Sequence, residues 1–70
     1  MKKIREYAEQ VGHQIVGKLT RHPEWEWDRD VYTGEKKRTG DRCYTDEGGN
    51  EYIISKFGGV CIIDSEGGVI

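Results

Sequence analysis

Two cysteines and two histidines supply the side-chain atoms that zinc prefers, but they are widely spread along the chain. Cys43, Cys61, His13 and His22 are the only residues of these two types. Structural zinc sites usually contain pairs of ligands only a few residues apart. In this chain consecutive members lie 9, 21 and 18 residues apart. The spacing therefore predicts no zinc site, and nothing else in the sequence indicates a metal or a cofactor.

The two cysteines are expected to be free thiols. If Tyr44 and Tyr52 face each other across a turn, Cys43 and Cys61 lie on strands on either side of the segment Tyr52–Lys56. Strands spaced by about 4.8 Å then separate the cysteines by roughly 10 Å. A disulfide requires Cα atoms within about 7 Å. A thiol inside a β-prone run is usually a small hydrophobic group, so neither cysteine is predicted to be a nucleophile.

Acidic and amide oxygens gather around two glycine-rich turns. The first turn contains Asp46, Glu47, Asn50 and Glu51, and the second contains Asp64 and Glu66. Such oxygens suit Ca²⁺, but the spacing does not match a twelve-residue calcium loop. The same residue types are those that hairpin turns prefer, and no burial is evident that would raise a carboxyl pKa for catalysis. We interpret both as structural turns and, with no convergent catalytic set, expect a non-enzymatic protein.

A basic cluster follows a pair of tryptophans and supplies the candidate binding residues. These are Trp25, Trp27, Lys36, Lys37, Arg38 and Arg42. Cations that contact phosphates and rings that stack on bases are typical of single-stranded nucleic-acid binding. The favoured interpretation is a solvated loop, with the acidic strip Glu24–Asp30 available for internal pairing. The net charge of −2, from 11 basic and 13 acidic residues, is not that of a dedicated duplex-DNA binder.

An amphipathic helix is predicted at residues 2–11. Its apolar stripe consists of Ile4, Tyr7, Ala8, Val11 and Ile15. Steps of three and four residues place these side chains on one helical face. Gly12 is a natural residue to end the helix. The alternative is a longer helix that continues to Val16 and ends at Gly17.

The next segment is predicted to be extended. Gln14–Arg21 suits a first strand, which should finish near His22 because Pro23 cannot donate a ladder hydrogen bond. Residues 24–28 then alternate strictly between carboxylates and tryptophans, so an extended chain places Trp25 and Trp27 on one face. The favoured interpretation is a half-buried strand whose tryptophans close the core. The alternative is an exposed aromatic shelf for a ligand or a base.

The C-terminal third is predicted to be a β-meander. Its strands are Arg42–Thr45, Glu51–Lys56 and Val60–Asp64, with glycine pairs at the reversals that can supply positive φ angles. Residues 33–41 lack large apolar side chains and are expected to form a long hairpin tip or a mobile loop. The single domain, residues 1–70, is then α+β: an N-terminal helix packed on a curved antiparallel sheet of four to five strands.

A surplus of apolar surface points to interaction. Ile53-Ile54 and Ile62-Ile63 place apolar side chains on both faces of the sheet, and one short helix covers a single face. The second face must be covered by the Trp25–Trp27 segment, by curvature into a small barrel, or by another subunit. We therefore expect a small protein-interaction or accessory regulatory module whose partner is a protein or a second copy. The alternative is a single-stranded nucleic-acid binder.

The cellular setting is expected to be cytoplasmic, in a bacterial or viral protein. No apolar run is long enough to span a membrane, and no apolar stretch follows the first residues as in a signal peptide. We expect no membrane partner.

Overall fold

The described residues form one α-helix, one short 3-10 helix and six strands. The computed structural model describes residues 2–29 and 31–70, with the backbone alone at residue 29. The elements are α1 (Lys2–Val11), β1 (Thr20–Arg21), the 3-10 helix (Pro23–Trp25), β2 (Trp27–Arg29), β3 (Lys36–Arg38), β4 (Arg42–Thr45), β5 (Glu51–Ile54) and β6 (Val60–Ile63). A four-stranded antiparallel sheet has the order β1-β4-β5-β6, and β2 pairs with β3 in a separate hairpin. This confirms the predicted α+β fold with its C-terminal meander.

The helix ends where the sequence predicts. Gly12 follows the last helical residue and has a φ of 74°. The N–H of Gly12 donates to the carbonyl of Glu9 at 3.3 Å, and the N–H of His13 donates to that of Ala8 at 2.8 Å. This pair of hydrogen bonds is a Schellman motif, which satisfies carbonyls at the helix C-terminus and favours glycine. The shorter of the two predicted helices is therefore the one that forms.

The meander is built from a turn that recurs every nine residues. The turns begin at Asp46, Ser55 and Asp64, and the fourth residue of each is a glycine with φ between 83° and 92°. In each turn the side-chain oxygen of the first residue accepts the N–H two residues later. The N–H of the first residue donates to the carbonyl four residues later. Four strand residues and five turn residues thus alternate, and the register follows from the turns.

The hydrophobic core lies between α1 and one face of the sheet. The direct cross-strand neighbours Tyr44, Tyr52 and Ile62 form its central row. Ile4 and Ala8 of α1 are buried against this face. The remaining buried members are Leu19 and Ile54, and the partly buried side chains packed on the cluster are Tyr7, Ile15 and Val60. We call this side of the sheet the inner face.

The predicted first strand is mostly wrong. Only Thr20–Arg21 pairs with β4, although Gln14–Arg21 was expected to be extended. The preceding residues are fixed by the turn after β4. The N–H of Val16 donates to Asp46 Oδ2 at 3.0 Å, and the N–H of Lys18 donates to Glu47 Oε2 at 2.8 Å. At Val16 and Lys18, side-chain acceptors thus take the place of the ladder hydrogen bonds of a strand.

The paired strands β2 and β3 form a hairpin, and we call these two strands together with residues 31–35 the arm. Its register pairs Trp27 with Arg38 and Asp28 with Lys37. Lys36–Arg38 therefore lies in a paired strand, whereas residues 33–41 were expected to form a long hairpin tip or a mobile loop. The mobility of that segment stays a prediction. Val31 and Tyr32 near the end of the arm are almost fully exposed.

Candidate interaction surface

The sheet face opposite α1 carries an apolar row across its three longest strands. Cys43, Ile53 and Cys61 are direct cross-strand neighbours, and Ile63 lies two residues beyond Cys61 on the same face of β6. All four side chains are half-buried. We call these four residues the outer face. The prediction that both sheet faces hold apolar side chains is therefore correct.

Trp25 and His22 lie along the β4 edge of the outer face. Their rings stack at a centroid distance of 4.1 Å, and His22 Nε2 lies 2.6 Å from Thr45 Oγ1 of β4. Trp25 borders an open groove of about 290 Å³ whose lining includes Cys43, Glu51 and Ile53. The tryptophan segment thus covers one edge of the outer face. The groove continues beside it as an accessible, largely apolar concavity.

The interpretation that the tryptophans close the core is wrong. Trp25 and Trp27 are each 48% exposed, and the side chain between them, Glu26, is only 1% exposed. The 3-10 helix at Pro23–Trp25 breaks the extended conformation on which the alternation depended. An extended chain would place the three carboxylates together on the face opposite the tryptophans, but in the structure the middle one, Glu26, is buried.

Buried Glu26 connects the arm to the sheet. Arg21 donates to its carboxylate twice, from Nε to Oε2 at 3.0 Å and from Nη2 to Oε1 at 2.8 Å. The N–H of Cys43 donates to Oε2 at 3.3 Å, and the Glu26 carbonyl accepts from the N–H of Thr39 at 2.9 Å. The Arg21 hydrogen bonds outweigh burial and, with the Cys43 N–H and the charge of Arg38, hold the pKa of Glu26 at about 2. A carboxylate this well paired stays ionised and has a structural role.

The candidate binding residues lie in three different parts of the molecule. The Arg38 guanidinium lies 5.9 Å from the centre of the Trp27 ring and 3.7 Å from Glu26 Oε1. Trp25 lies beside the outer face. Arg42 lies on β4 directly opposite Ile54 of β5, on the inner face. Lys36 and Lys37 are exposed on β3. One residue of the acidic strip, Glu26, thus pairs with one residue of the basic cluster, Arg38. The last residue of the strip, Asp30, lies outside the described residues.

Asp46 forms a second polar centre that the sequence did not reveal. Five donors reach its carboxylate within 3.0 Å: the N–H groups of Val16, Gly48 and Asn50, the Asn50 amide and the Tyr52 hydroxyl. Burial alone would raise the pKa of Asp46, but these hydrogen bonds outweigh burial and lower it well below its usual range. Asp46 therefore joins the loop before β1 to the meander. The Asp-to-Gly spacing predicted the turn but not the long-range partners.

The potential metal ligands do not converge. Cys43 and Cys61 are free, as predicted, and flank Ile53 of β5. His13 Nε2 lies 2.7 Å from the Tyr52 hydroxyl, while His22 contacts Thr45 and Glu24. Within residues 2–29 and 31–70, no group of three or more His, Cys, Asp or Glu side chains is arranged to hold a metal ion. Burial raises the pKa of the Cys43 thiol, with nearby carboxylates adding to the effect.

Comparisons of the chain with known proteins give no match. No family model, no curated protein and no solved structure matches the chain. None of the helices in the described part of the chain combines the length and the apolar character needed to cross a bilayer.

Proposed function

We propose that this protein is a small, non-enzymatic interaction module that binds a protein partner through its outer face, and that this partner is a second copy of the chain. The observation that carries the proposal is the half-buried row Cys43–Ile53–Cys61, continued by Ile63. Contiguous apolar surface of this kind, bordered by an exposed tryptophan, is typical of protein interfaces.

The exposed area supports a second copy as the partner. The chain exposes 5149 Å², whereas a compact folded chain of this mass exposes about 4,500 Å². The surplus of about 650 Å² approaches the ~800 Å² that each partner buries in an interface of standard size. A homodimer would therefore bring the exposed surface per chain near the value of a compact protein.

The composition of the outer face supports a symmetric interface. Its centre, Ile53, has one cysteine on each side, and the only charged side chain in the adjoining row is Glu51. Two such faces related by a twofold axis place apolar groups against apolar groups, without burying an unpaired charge at the centre. A 70-residue chain buries little apolar area in its own core, so additional burial at an interface would stabilise it.

The location of this interface is tested by the reactivity of its own thiols. Cys43 and Cys61 flank Ile53, so dimer formation should slow their labelling by a bulky maleimide as protein concentration rises across a dilution series. Ile53→Glu places a charge in the apolar centre and should abolish this concentration dependence. Phe57→Glu, a matched change at an exposed ring in the β5–β6 turn, should preserve it. Labelling rates that do not vary with wild-type concentration would contradict the proposal.

A second candidate is single-stranded nucleic-acid binding. The observation that favours it is the half-exposure of Trp25 and Trp27, with the Arg38 guanidinium placed over the Trp27 ring. Stacked bases and phosphates are the ligands such a surface would take. Tryptophan fluorescence titrated with an oligonucleotide at low and moderate salt tests it. Salt-sensitive quenching that Trp27→Ala removes would support this candidate, and unchanged fluorescence would eliminate it.

A further inference from the structure

Four cationic side chains line one groove on the opposite side of the molecule from the outer face. Lys2 and Lys3 come from α1, Arg42 from β4 and Lys56 from the β5–β6 turn. The groove has a volume of about 350 Å³, and its other lining residues are Gly40, Ile54, Ser55 and Gly58. We call it the basic groove.

Two glycines allow the lysine side chains to approach the backbone here. A Cβ atom at Gly40 would lie 2.9 Å from Cβ of Lys56, and one at Gly58 would lie 3.1 Å from Nζ of Lys3. Both glycines have positive φ, 84° and 92°. The backbone N–H of Lys56 donates to Asp41 Oδ1 at 3.0 Å, which ties the β5–β6 turn to the loop before β4. Lys3 and Lys56 are therefore placed by packing against separate loops.

The carboxylates in the described part of the chain form no ion pair with the cations of the basic groove. Among the described residues, none of its four cations lies within 4.0 Å of a carboxylate oxygen. The nearby carboxylate of Asp41 uses one oxygen on the Lys56 backbone. Four like charges thus gather in one groove of a chain whose net charge is −2. Their mutual repulsion is relieved by a bound polyanion.

We propose that the basic groove binds the phosphate groups of a phosphorylated small molecule. Phosphate oxygens accept hydrogen bonds from the planar fork of Arg42, while the ammonium groups of Lys3 and Lys56 act as point charges. A single carboxylate would neutralise one of the four cations, whereas a diphosphate matches most of the set. The volume of the groove lies at the lower end of the range for small-ligand sites. This inference uses none of the residues of the outer face and does not depend on the proposed function.

Pyrophosphate is the probe that tests this site. Binding is measured by calorimetry at constant ionic strength, with sodium chloride replacing the probe in the reference titration. The wild type should show saturable binding, and Arg42→Gln/Lys56→Gln should weaken it by at least about tenfold, since each substitution removes a charge-assisted contact. Arg5→Gln/Lys18→Gln removes the same two residue types outside the groove and should change the affinity less than twofold. Lys3→Gln provides a second groove variant with a milder expected loss.

Three results would overturn the assignment. The first is the absence of saturable pyrophosphate binding at matched ionic strength. The second is an equal loss of affinity in the groove and control double variants, which would show a response to net charge only. The third is a short single-stranded oligonucleotide that binds more tightly than pyrophosphate through Arg42 and Lys56, because the ligand class would then be nucleic acid.

Discussion

Tyr52 links Asp46 of the first meander turn to His13 of the loop after α1. Its hydroxyl donates to Asp46 Oδ2 at 2.7 Å, and His13 Nε2 lies 2.7 Å from the same hydroxyl. A hydroxyl has one proton, and Asp46 is ionised, so His13 Nε2 must carry the proton that it shares with Tyr52. Burial and the charge of Asp46 raise the pKa of Tyr52. The phenol therefore stays protonated and holds the loop after α1 against the meander.

Tyr52→Phe should lower the free energy of unfolding by about 2 kcal/mol, because it removes a buried hydrogen bond to a charged group. Tyr44→Phe is the matched control. Tyr44 is the direct cross-strand neighbour of Tyr52 and is also buried, and its hydroxyl makes no hydrogen bond within the described residues. That change should cost less than about 0.5 kcal/mol. Urea unfolding of the two variants compares them, and equal losses would show that the Tyr52 network does not stabilise the fold.

Glu26 should make the protein sensitive to acid. Its pKa is about 2 in the folded protein and about 4.3 in an unfolded chain. The unfolded state therefore binds more protons in this range, and the stabilisation, complete above about pH 5, is lost as the pH falls towards 2. Asp46, whose pKa is also lowered, acts in the same direction.

Denaturant unfolding at several pH values measures this effect. Glu26→Gln removes one of the titrating groups, so its unfolding free energy should fall less steeply between about pH 5 and pH 2 than that of the wild type. Glu9→Gln, at an exposed position of α1, should keep the wild-type slope. Parallel slopes for the wild type and Glu26→Gln would contradict the role given to Glu26.

Glycines at the ends of elements can be tested one position at a time. Gly12 ends α1 with a φ of 74°, and a Cβ there would have no atom within 4 Å. Gly59 also has open space around it but no left-handed φ. Gly12→Ala should destabilise the protein by about 1 kcal/mol or more through backbone strain alone. Gly59→Ala should be neutral or stabilise by up to about 1 kcal/mol, because it restricts the unfolded chain.

Thermal unfolding of the two alanine variants is sufficient for this comparison. A Gly12→Ala variant as stable as Gly59→Ala would mean that the Schellman motif does not determine the end of α1.

Elements with local determinants were predictable from the sequence, and elements with distant determinants were not. α1 and the meander depend on apolar periodicity and on glycine-containing turns, which are visible within a window of nine or ten residues. The loop after α1 depends on Asp46 and Glu47, about thirty residues away. Local β propensity favoured a strand there, and long-range side-chain acceptors overrode it.

The candidate site was predictable in part for the same reason. Neighbouring isoleucines on two strands indicated an outer face before its register was known. The alternation around Glu26 instead implied an extended chain, and it revealed neither the 3-10 helix at Pro23–Trp25 nor the hydrogen bonds from Arg21 to Glu26. The four cations of the basic groove come from α1, β4 and the β5–β6 turn. No single run of sequence marks it.

The molecule as a whole is less compact than a typical globular chain of the same length. Its principal dimensions are 42 × 23 × 20 Å and its radius of gyration is 13.1 Å, against about 11 Å for a compact chain of this length. At the base of the arm, Thr39 donates to the carbonyl of Glu26, and the Glu26 carboxylate accepts from the N–H of Cys43 in β4. The homodimer proposed above would bury the outer face of this elongated chain.

The mass of the protein in solution tests this account most directly. Sedimentation equilibrium over a concentration series should give about 16 kDa for the unmodified chain, twice the 8.0 kDa of one copy. Ile53→Glu should give the mass of one copy, and Phe57→Glu should keep that of the dimer. A wild-type mass of 8.0 kDa at every concentration, or a dimer that Ile53→Glu leaves intact, would contradict an interface at the outer face.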